Sequence, residues 1–283
     1  MSLVTARSLL DAAAKAGNAV AAFDTVDHIS TEGILQAAEQ RQRPVILMVP
    51  EAAMALLDRE TFFPYLIWRA RRSSVPVAVQ VDHGESLGMI MQAIHHGFSS
   101  VMIDGSMLSL EQNIAKTRQI VELAHAAGVS VEAEVGKVGG DEGSFAGTAV
   151  DVDAYTDPQD AKAFADATGV DALAVAFGTV HGHYKGAPQL DFDRLSAIAA
   201  LVSTPLVLHG GSGLSDADFV RAIECGVRKV NIFTEISLAA VAQSVAHCQS
   251  KDNQLHFAEL ALVGKQTVAT LAGKYIDLFS LGK

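Results

Sequence analysis

The sequence predicts an α/β fold, a TIM (β/α)8 barrel with one helix before the barrel and another after it. Two observations predict it: eight short apolar runs suited to strands, and a longer amphipathic stretch after each of them. Glycine followed by valine marks several turns that lead back to a strand, at 128–129, 169–170 and 226–227, as expected where a helix stops. The strand runs are residues 20–23, 45–49, 77–81, 100–103, 129–134, 172–177, 206–208 and 230–232.

Helical stretches alternate with these strands, and two more lie outside the repeat. They are residues 31–42, 61–73, 86–96, 110–127, 157–168, 191–201, 215–225 and 234–249, with additional helices near 4–16 and 254–273. The eight strand–helix units are similar in length and show no break in composition. This regularity favours a closed barrel over the alternative, an open doubly wound sheet. No linker or low-complexity tract interrupts the chain, so residues 1–283 are predicted to form one domain.

Composition and charge argue against several function classes. The 283 residues are 49% hydrophobic, enough to bury a large core, and the net charge of −11 argues against nucleic acid or an anionic membrane as partner. No apolar run approaches the roughly 18 residues that cross a bilayer, and the amino-terminal segment lacks the apolar region of a signal peptide. The two cysteines, Cys225 and Cys248, suit a reducing compartment. A cytoplasmic protein is expected.

Three histidines stand where predicted strands end. His83 follows the third run, His181 lies just beyond the sixth, and His209 follows the seventh. Parallel strands place their carboxyl ends on one face, so these imidazoles can converge. A lone histidine is usually a surface residue or a hydrogen-bonded core residue, but three neutral imidazoles with one open position form a catalytic zinc site. The pattern therefore indicates a metal enzyme.

Carboxylates accompany the histidines at the same strand ends. Asp82 precedes His83 and is well placed to move a proton on a bound substrate, although an aspartate here can also cap the next helix. Asp104 and Glu134 end the fourth and fifth runs, where they could orient the histidines or hold a metal in a second position. For Asp104 helix capping is the alternative, whereas a buried Glu134 would need a cationic partner.

Two segments with glycine and hydroxyl residues follow the last two strands. HGGSG at 209–213 and NIFTE at 231–235 each lead into a helix, where backbone N–H groups and the helix dipole attract an anion. Because loops after strands seven and eight form the usual phosphate site of TIM barrels, a phosphorylated substrate is predicted. The long connection at 136–156, rich in glycine and acidic residues, is predicted to act as a lid or binding loop.

In this order the motifs resemble those of the class II, zinc-dependent fructose-bisphosphate and tagatose-bisphosphate aldolases, over nearly the whole chain. The resemblance rests on DHG at 82–84, MIDGS at 102–106, EAEVG at 132–136 with GGDE at 139–142, HG at 181–182, HGGSG at 209–213, and Asn231 with Thr234. It implies a lyase that cleaves a phosphorylated ketose reversibly to dihydroxyacetone phosphate and an aldehyde, through a zinc-stabilised enediolate.

The resemblance also implies a metal set. One catalytic Zn²⁺ per subunit is expected on His83, His181 and His209. Asp104 and Glu134 are expected to serve an alternate metal position or to orient the histidines. A Na⁺ or K⁺ ion near the substrate phosphate is implied as well, held mainly by backbone carbonyls.

Further roles implied by the resemblance concern protons and the substrate. Asp82 is expected to exchange a proton with the aldehyde-derived oxygen, and Glu142 in the long loop to carry the proton at the enediolate carbon. The residues expected to bind dihydroxyacetone phosphate are Gly182, Gly211, Ser212, Asn231 and Thr234. A homodimer or homotetramer is expected by the same resemblance.

Three positions around the site depart from the family pattern. Asp24 stands where the family commonly has Asn, Pro50 where it has Ser or Thr, and Phe233 where it has Asp or a small residue. None belongs to the metal set, so lyase chemistry is retained while the aldehyde, its stereochemistry and the physiological direction stay open. Two alternatives remain: a zinc-dependent barrel hydrolase of a phosphorylated substrate, and a non-catalytic subunit that binds a sugar phosphate.

Overall fold

Parallel strands close into a barrel in the computed structural model, which describes residues 2–140, 148–252 and 254–282. The strands are β1 Val20–Asp24, β2 Val45–Pro50, β3 Val77–Gly84, β4 Ser100–Ile103, β5 Ser130–Val135, β6 Ala172–Val175, β7 Leu206–Leu208 and β8 Val227–Ile232. Each strand pairs with its neighbour in chain order, and β8 pairs with β1 to complete the circle. The predicted barrel is confirmed, and the open doubly wound sheet is excluded.

Helices surround the barrel and alternate with its strands. They are α1 Ala6–Ala16, α2 His28–Arg41, α3 Arg59–Arg71, α4 Leu87–His96, α5 Leu110–Ala126, α6 Pro158–Thr168, α7 Phe192–Leu201, α8 Asp216–Glu224, α9 Thr234–Ser250 and α10 Phe257–Phe279. The predicted helices before and after the barrel are α1 and α10, and two short 3₁₀ helices, Glu51–Leu56 and Val152–Ala154, add to the predicted set. No helix within the described ranges is long and apolar enough to span a membrane.

Element boundaries differ from the prediction for local reasons. α2 begins at His28 rather than at 31 because the Asp27 side chain caps it. The Asp27 carboxylate accepts hydrogen bonds from the backbone N–H groups of Ile29 and Ser30, at 2.7 and 2.8 Å. α10 continues to Phe279 rather than ending at 273, because its last turns bury Tyr275 and Phe279 in the outer core.

The barrel interior is mainly apolar at its amino-terminal end, and most of its buried carboxylates lie toward its carboxyl-terminal end. α1 closes the amino-terminal end, where Leu9 and Leu10 pack against inward-facing strand residues. Those strand residues are Val20, Ala22, Ile46, Met48, Ala78, Ala172, Ala174 and Val207. The buried polar side chains of the strands are Asp24, Gln80, Asp82, Ser100, Ser130, Glu132, Glu134, Lys229 and Asn231. Most of these carboxylates lie near the carboxyl ends of the strands, which is where TIM barrels carry their sites.

Candidate active site

A distortion at the end of β3 brings two consecutive side chains to the barrel mouth. In a regular strand Asp82 and His83 would face opposite sides of the sheet. The pairing of β3 with β4 shifts register between Val81 and Gly84, and His83 adopts a left-handed backbone conformation with φ of 44°. Non-glycine residues adopt this conformation at a cost, and such strain is concentrated at functional sites. The irregularity allows the carboxylate and the imidazole to lie at the same end of the barrel.

The three imidazoles predicted from the sequence converge. His209 Nδ1 lies 2.8 Å from His83 Nε2, and the His181 ring centre is 4.9 Å from that of His83 and 5.8 Å from that of His209. One ring nitrogen from each histidine lies within 4.8 Å of the other two. Three imidazoles this close, with their nitrogens facing one another, fit the donor set of a divalent transition metal such as zinc.

The electrostatic surroundings keep His181 neutral. Burial, reinforced by the neighbouring His83 and His209, holds the pKa of His181 well below its usual value. Its ring also makes a hydrogen bond with the backbone of Gly140. A neutral imidazole at pH 7 is the protonation state that binds a metal.

Asp104 orients His83. His83 Nδ1 lies 2.7 Å from Asp104 Oδ2, which leaves His83 Nε2 to face the other histidines. Burial alone would raise the pKa of Asp104, but the hydrogen bond and charge of His83 lower it well below the usual range, so Asp104 is ionised. Ser106 donates its backbone N–H to the other carboxylate oxygen at 2.9 Å. The following helix, α5, is capped by Ser109 and not by Asp104, so the helix-capping alternative does not apply, and the contact with His83 is of the kind that carboxylates make with metal-binding histidines.

Glu134 faces the same cluster from β5. Its Oε1 accepts a hydrogen bond from Val138 N at 3.0 Å, and its Oε2 lies 3.6 Å from His209 Nδ1. Burial raises the pKa of Glu134, with His209 opposing that effect. No lysine or arginine among the described residues pairs with it, and the titratable groups near its carboxyl are His209, His83 and Asp104. His83, Asp104 and Glu134 form a second group of potential metal ligands, because one ligand atom from each lies within 4.8 Å of the other two.

Two buried charges that the sequence analysis missed support His209 from inside the barrel. His209 Nε2 lies 2.9 Å from Glu132 Oε1, which leaves Nδ1 facing the histidine cluster. Glu132 Oε2 accepts hydrogen bonds from Lys229 Nζ at 2.6 Å and from Gln80 Nε2 at 3.1 Å. Burial raises the pKa of Glu132, but Lys229 and His209 together lower it to about 2. The signal was available, because Glu132 alternates with Glu134 on one face of β5, and Lys229 alternates with Asn231 on one face of β8.

Asp82 lies beside this network with its side chain fully buried. Asn231 Nδ2 approaches its two carboxylate oxygens at 3.4 and 3.5 Å, which are long hydrogen bonds. The Asn231 Oδ1 atom is buried and has no hydrogen-bond partner among the described residues. A buried polar atom without a partner is costly, so a substrate hydroxyl would be a suitable donor to Asn231.

A small cavity adjoins the histidines at the ends of β6, β7 and β8. It contains all five residues predicted to bind the phosphorylated substrate, Gly182, Gly211, Ser212, Asn231 and Thr234. Ser212 accepts a hydrogen bond from the backbone N–H of Glu235 at 3.3 Å, in the first turn of α9. The residue at the N-cap of α9, Phe233, makes no capping hydrogen bond with its side chain, and the start of this helix borders the cavity, where its dipole favours an anion.

The three departures from the family pattern lie close to this cavity. Asp24 and Phe233 line it, and both also border a larger apolar cleft between α2, α9 and α10. Pro50 is the β2 residue paired with Asp82. Glu142 lies outside the described residues, so its predicted role stays a prediction. The nearest described residue, Gly140, borders the opening above the histidines.

Comparison with known proteins decides the family. The sequence model of the family described as "Fructose-bisphosphate aldolase class-II" matches residues 4–282. The chain belongs to this family. It is therefore a class II aldolase, and so an aldehyde-lyase, as the sequence motifs predict. The family acts on phosphorylated ketoses and is generally zinc-dependent, and this aldolase has a histidine and carboxylate cluster able to bind a metal.

Individual relatives resemble the aldolase over nearly their whole length. A sulfofructosephosphate aldolase of Alkalicoccus urumqiensis is 37% identical over 280 residues, which cover 99% of this chain and 97% of the relative. A fructose-bisphosphate aldolase of Geobacillus stearothermophilus is 39% identical over 288 residues, covering 100% and 99%. The crystal structure of the YdjI aldolase from Escherichia coli K12 matches with a TM-score of 0.88 at 35% identity, covering 98% of this chain and 97% of that one.

Proposed function

We propose that this aldolase is zinc-dependent and reversibly cleaves a phosphorylated ketose, similar to tagatose or fructose bisphosphate, into dihydroxyacetone phosphate and an aldehyde. The observation that carries the proposal is the meeting of three imidazoles beside a cavity suited to phosphate. Neither a hydrolase nor a binding subunit is favoured by a separate observation.

His83, His181 and His209 are the proposed ligands of one Zn²⁺ per subunit. The hydrogen bonds to Asp104 and Glu132 leave His83 Nε2 and His209 Nδ1 as their metal-binding atoms. When bound, zinc supplies a Lewis acid that stabilises the negative charge developing next to the substrate ketone. Asp104 and Glu134 keep the imidazoles oriented, and together with His83 they offer the proposed alternate metal position.

Asp82 is the proposed proton carrier at the aldehyde-derived oxygen. Its side chain is adjacent to His83 and buried, and its contacts with Asn231 are long, so its oxygens remain able to take a proton from a substrate hydroxyl. As the carbon–carbon bond breaks, Asp82 accepts this proton, and in the reverse direction it returns it. Glu142 is proposed to exchange the other proton, at the carbon next to the ketone.

The phosphate is proposed to bind in the cavity at the start of α9. Backbone N–H groups near Gly182 and Gly211, the Ser212 and Thr234 hydroxyls and the α9 dipole supply positive potential there. Asp24 adds a carboxylate to the same cavity, which would repel a phosphate. A Na⁺ or K⁺ ion near the phosphate, which the family resemblance implies, would offset that repulsion.

A coupled assay for released dihydroxyacetone phosphate tests this function. A panel of phosphorylated ketoses, including acid-sugar phosphates, is assayed with and without a metal chelator. We expect release from at least one ketose, loss of release with chelator, and recovery when zinc is restored. Release of inorganic phosphate with uptake of water would instead indicate the hydrolase, and binding without turnover across the panel would indicate the non-catalytic subunit.

Replacing Asp82 with asparagine tests the proton-transfer role. Asn has nearly the same shape but cannot carry the proton, so turnover should fall about 10²–10⁴-fold, the usual contribution of a general acid or base. Zinc content and affinity for inorganic phosphate should stay close to those of the wild type. Asp27→Asn is the control, because asparagine can still cap α2. Near-normal turnover of Asp82→Asn would assign the proton to another group.

We also propose that the aldolase is a homodimer or homotetramer that associates through α9 and α10. In α9 Ile236 is the sole buried residue, although the helix is largely apolar, and no charged residue occurs from 236 to 246. Exposed apolar side chains continue this surface: Val241, Val245, Phe257 and Leu262. An apolar face suits a second copy of the chain, since residues 236–246 would bring no like charges together across the interface.

Introducing charge on this surface should dissociate the oligomer. The double variant Val241→Glu/Leu262→Glu places two carboxylates per subunit at the proposed interface, where burial without a partner is unfavourable. Light scattering after size exclusion should then give the monomer mass. Leu123→Glu, at an exposed apolar position on α5, is the matched control and should keep the wild-type mass. A monomeric wild type, or an unchanged mass of the double variant, would reject the interface.

Two broader proposals accompany this function. We propose that residues 1–283 form one domain, since the apolar residues of the outer core pack around the closed barrel from β1 through α10. We propose a cytoplasmic location as well, because Cys225 and Cys248 are both free thiols, as a reducing compartment would keep them.

A further inference from the structure

One phenol links the segments that carry two of the histidines. Tyr184 lies in the connection between β6 and α7, and its hydroxyl donates a hydrogen bond to the carbonyl oxygen of Gly210 at 2.9 Å. The same hydroxyl accepts a hydrogen bond from the backbone N–H of Val180 at 3.2 Å. Val180 precedes His181 and Gly210 follows His209, so a single side chain joins the immediate neighbours of both.

The surroundings of Tyr184 leave this hydroxyl little freedom. Gly210 and Val180 approach so closely that a Cβ at position 210 would clash with the Val180 carbonyl. A side chain at Gly213 would contact the Tyr184 ring. Burial raises the pKa of Tyr184, so the phenol stays protonated and able to donate. The ring and its hydroxyl therefore hold residues 210–213 against the segment that contains His181.

Tyr184 is also tied to the loop after β5. The backbone of Thr148 donates to the carbonyl of His183 at 2.8 Å, and the backbone of Lys185 donates to the carbonyl of Thr148 at 2.9 Å. These two hydrogen bonds lie on either side of Tyr184 and pair its backbone with Thr148 in the loop after β5. The phenol thus lies where the loops after β5, β6 and β7 meet.

We propose that Tyr184 is a positioning residue that sets the glycine loop at 210–213 for phosphate binding. The inference rests on the proposed function, because it assigns the phosphate to the cavity lined by Gly211 and Ser212. The loop needs such support, since Gly210 and Gly213 have positive φ values, 66° and 95°, and glycine restricts the backbone least. Without the phenolic hydroxyl, the Gly210 carbonyl and the buried Val180 N–H lose their partner, and the loop can move away from the phosphate position.

Tyr184→Phe tests the proposal because it removes the hydroxyl and retains the ring. The dissociation constant for inorganic phosphate, measured on the zinc-loaded protein by calorimetry, should rise about tenfold or more, on the scale of one to two lost hydrogen bonds. KM for the phosphorylated ketose should rise by a similar factor, with a smaller change in kcat. Zinc content per chain should not change, since the histidines keep their own partners.

Tyr155→Phe is the matched control. Its hydroxyl also donates to a backbone carbonyl of the loop after β6, that of Gln189, at 2.6 Å, but no hydrogen bond among the described residues joins this hydroxyl to 180–184 or 209–213. This variant should keep the phosphate affinity and KM of the wild type, even if its melting temperature falls. Equal phosphate affinity and KM in Tyr184→Phe and wild type would overturn the positioning role and leave Tyr184 a purely structural residue.

Amide hydrogen exchange on the wild type gives a second measurement that needs no variant. Phosphate should slow exchange at 180–184 together with 210–213, because Tyr184 couples the two segments. Protection confined to 210–213, or no phosphate binding by the wild type, would contradict the proposal. The outcome is separate from that of the proposed function: a wild type that releases no dihydroxyacetone phosphate refutes the aldol cleavage, whereas phosphate titration decides the role of Tyr184.

Discussion

Replacing His209 with alanine should yield a folded protein that binds no stoichiometric zinc and has lost turnover. His209 lies fully buried between the other two imidazoles and Glu132, so its removal takes away one of three proposed zinc ligands. Two imidazoles without the third leave zinc coordination incomplete, and affinity falls accordingly. Glu132 keeps its ion pair with Lys229, which limits the cost to the fold. Zinc per chain is measured by atomic absorption, and turnover by release of dihydroxyacetone phosphate.

The control for this prediction is a histidine far from the mouth. His95 is exposed on α4, so His95→Ala should keep zinc and turnover at wild-type values. Circular dichroism of His209→Ala should match the wild type, which separates loss of metal from loss of fold. If His209→Ala retained one zinc per chain together with full turnover, the proposed ligand set would be wrong.

Replacing Lys229 with methionine should have the largest effect on stability. Lys229 is fully buried, and its ammonium group makes a 2.6 Å contact with the buried Glu132. Methionine fills a similar volume but leaves the carboxylate without its cation, and breaking a buried pair in this way costs about 3–5 kcal/mol. The free energy of unfolding from urea titration should fall by this amount. Zinc affinity should fall as well, by about 10–100-fold, because Glu132 orients His209.

The double variant Glu132→Gln/Lys229→Met is the informative comparison. It removes both charges while glutamine can still accept the hydrogen bond from His209, so it should recover most of the lost stability. Glu132→Gln alone leaves Lys229 buried without its partner and should be destabilised like Lys229→Met. A double variant as unstable as either single variant would show that packing, not charge pairing, governs this position.

Much of the candidate site could be predicted because strand ends in a closed barrel share one face. His83, His181 and His209 follow different strands, and their position at the ends of apolar runs was sufficient to predict that they converge. The glycine and hydroxyl residues after β7 and β8 were predictable for the same reason, and they line one cavity. The roles of these residues remain predictions that the variants above test.

Other parts of the site depend on contacts that no local pattern reveals. The bond between Glu132 and His209 joins residues on β5 and β7, and Lys229 reaches the same carboxylate from β8. Which carboxylate pairs with which histidine depends on how the strands are staggered around the barrel. Tyr184 was overlooked because its hydroxyl bridges two backbone segments, which leaves no mark in the sequence.

By itself, the sequence determined the eightfold alternation of strand and helix, the end of the barrel that carries the site, and the residue types available there. These follow from periodicity and chain order, which are local properties. Only the tertiary structure decided that the register of β3 shifts beside Asp82 and His83, and that Asp104 and Glu132 each contact a different histidine. Hydrogen bonds of this kind require side chains distant in sequence to meet at about 2.7–3.2 Å, and barrel closure brings them that close.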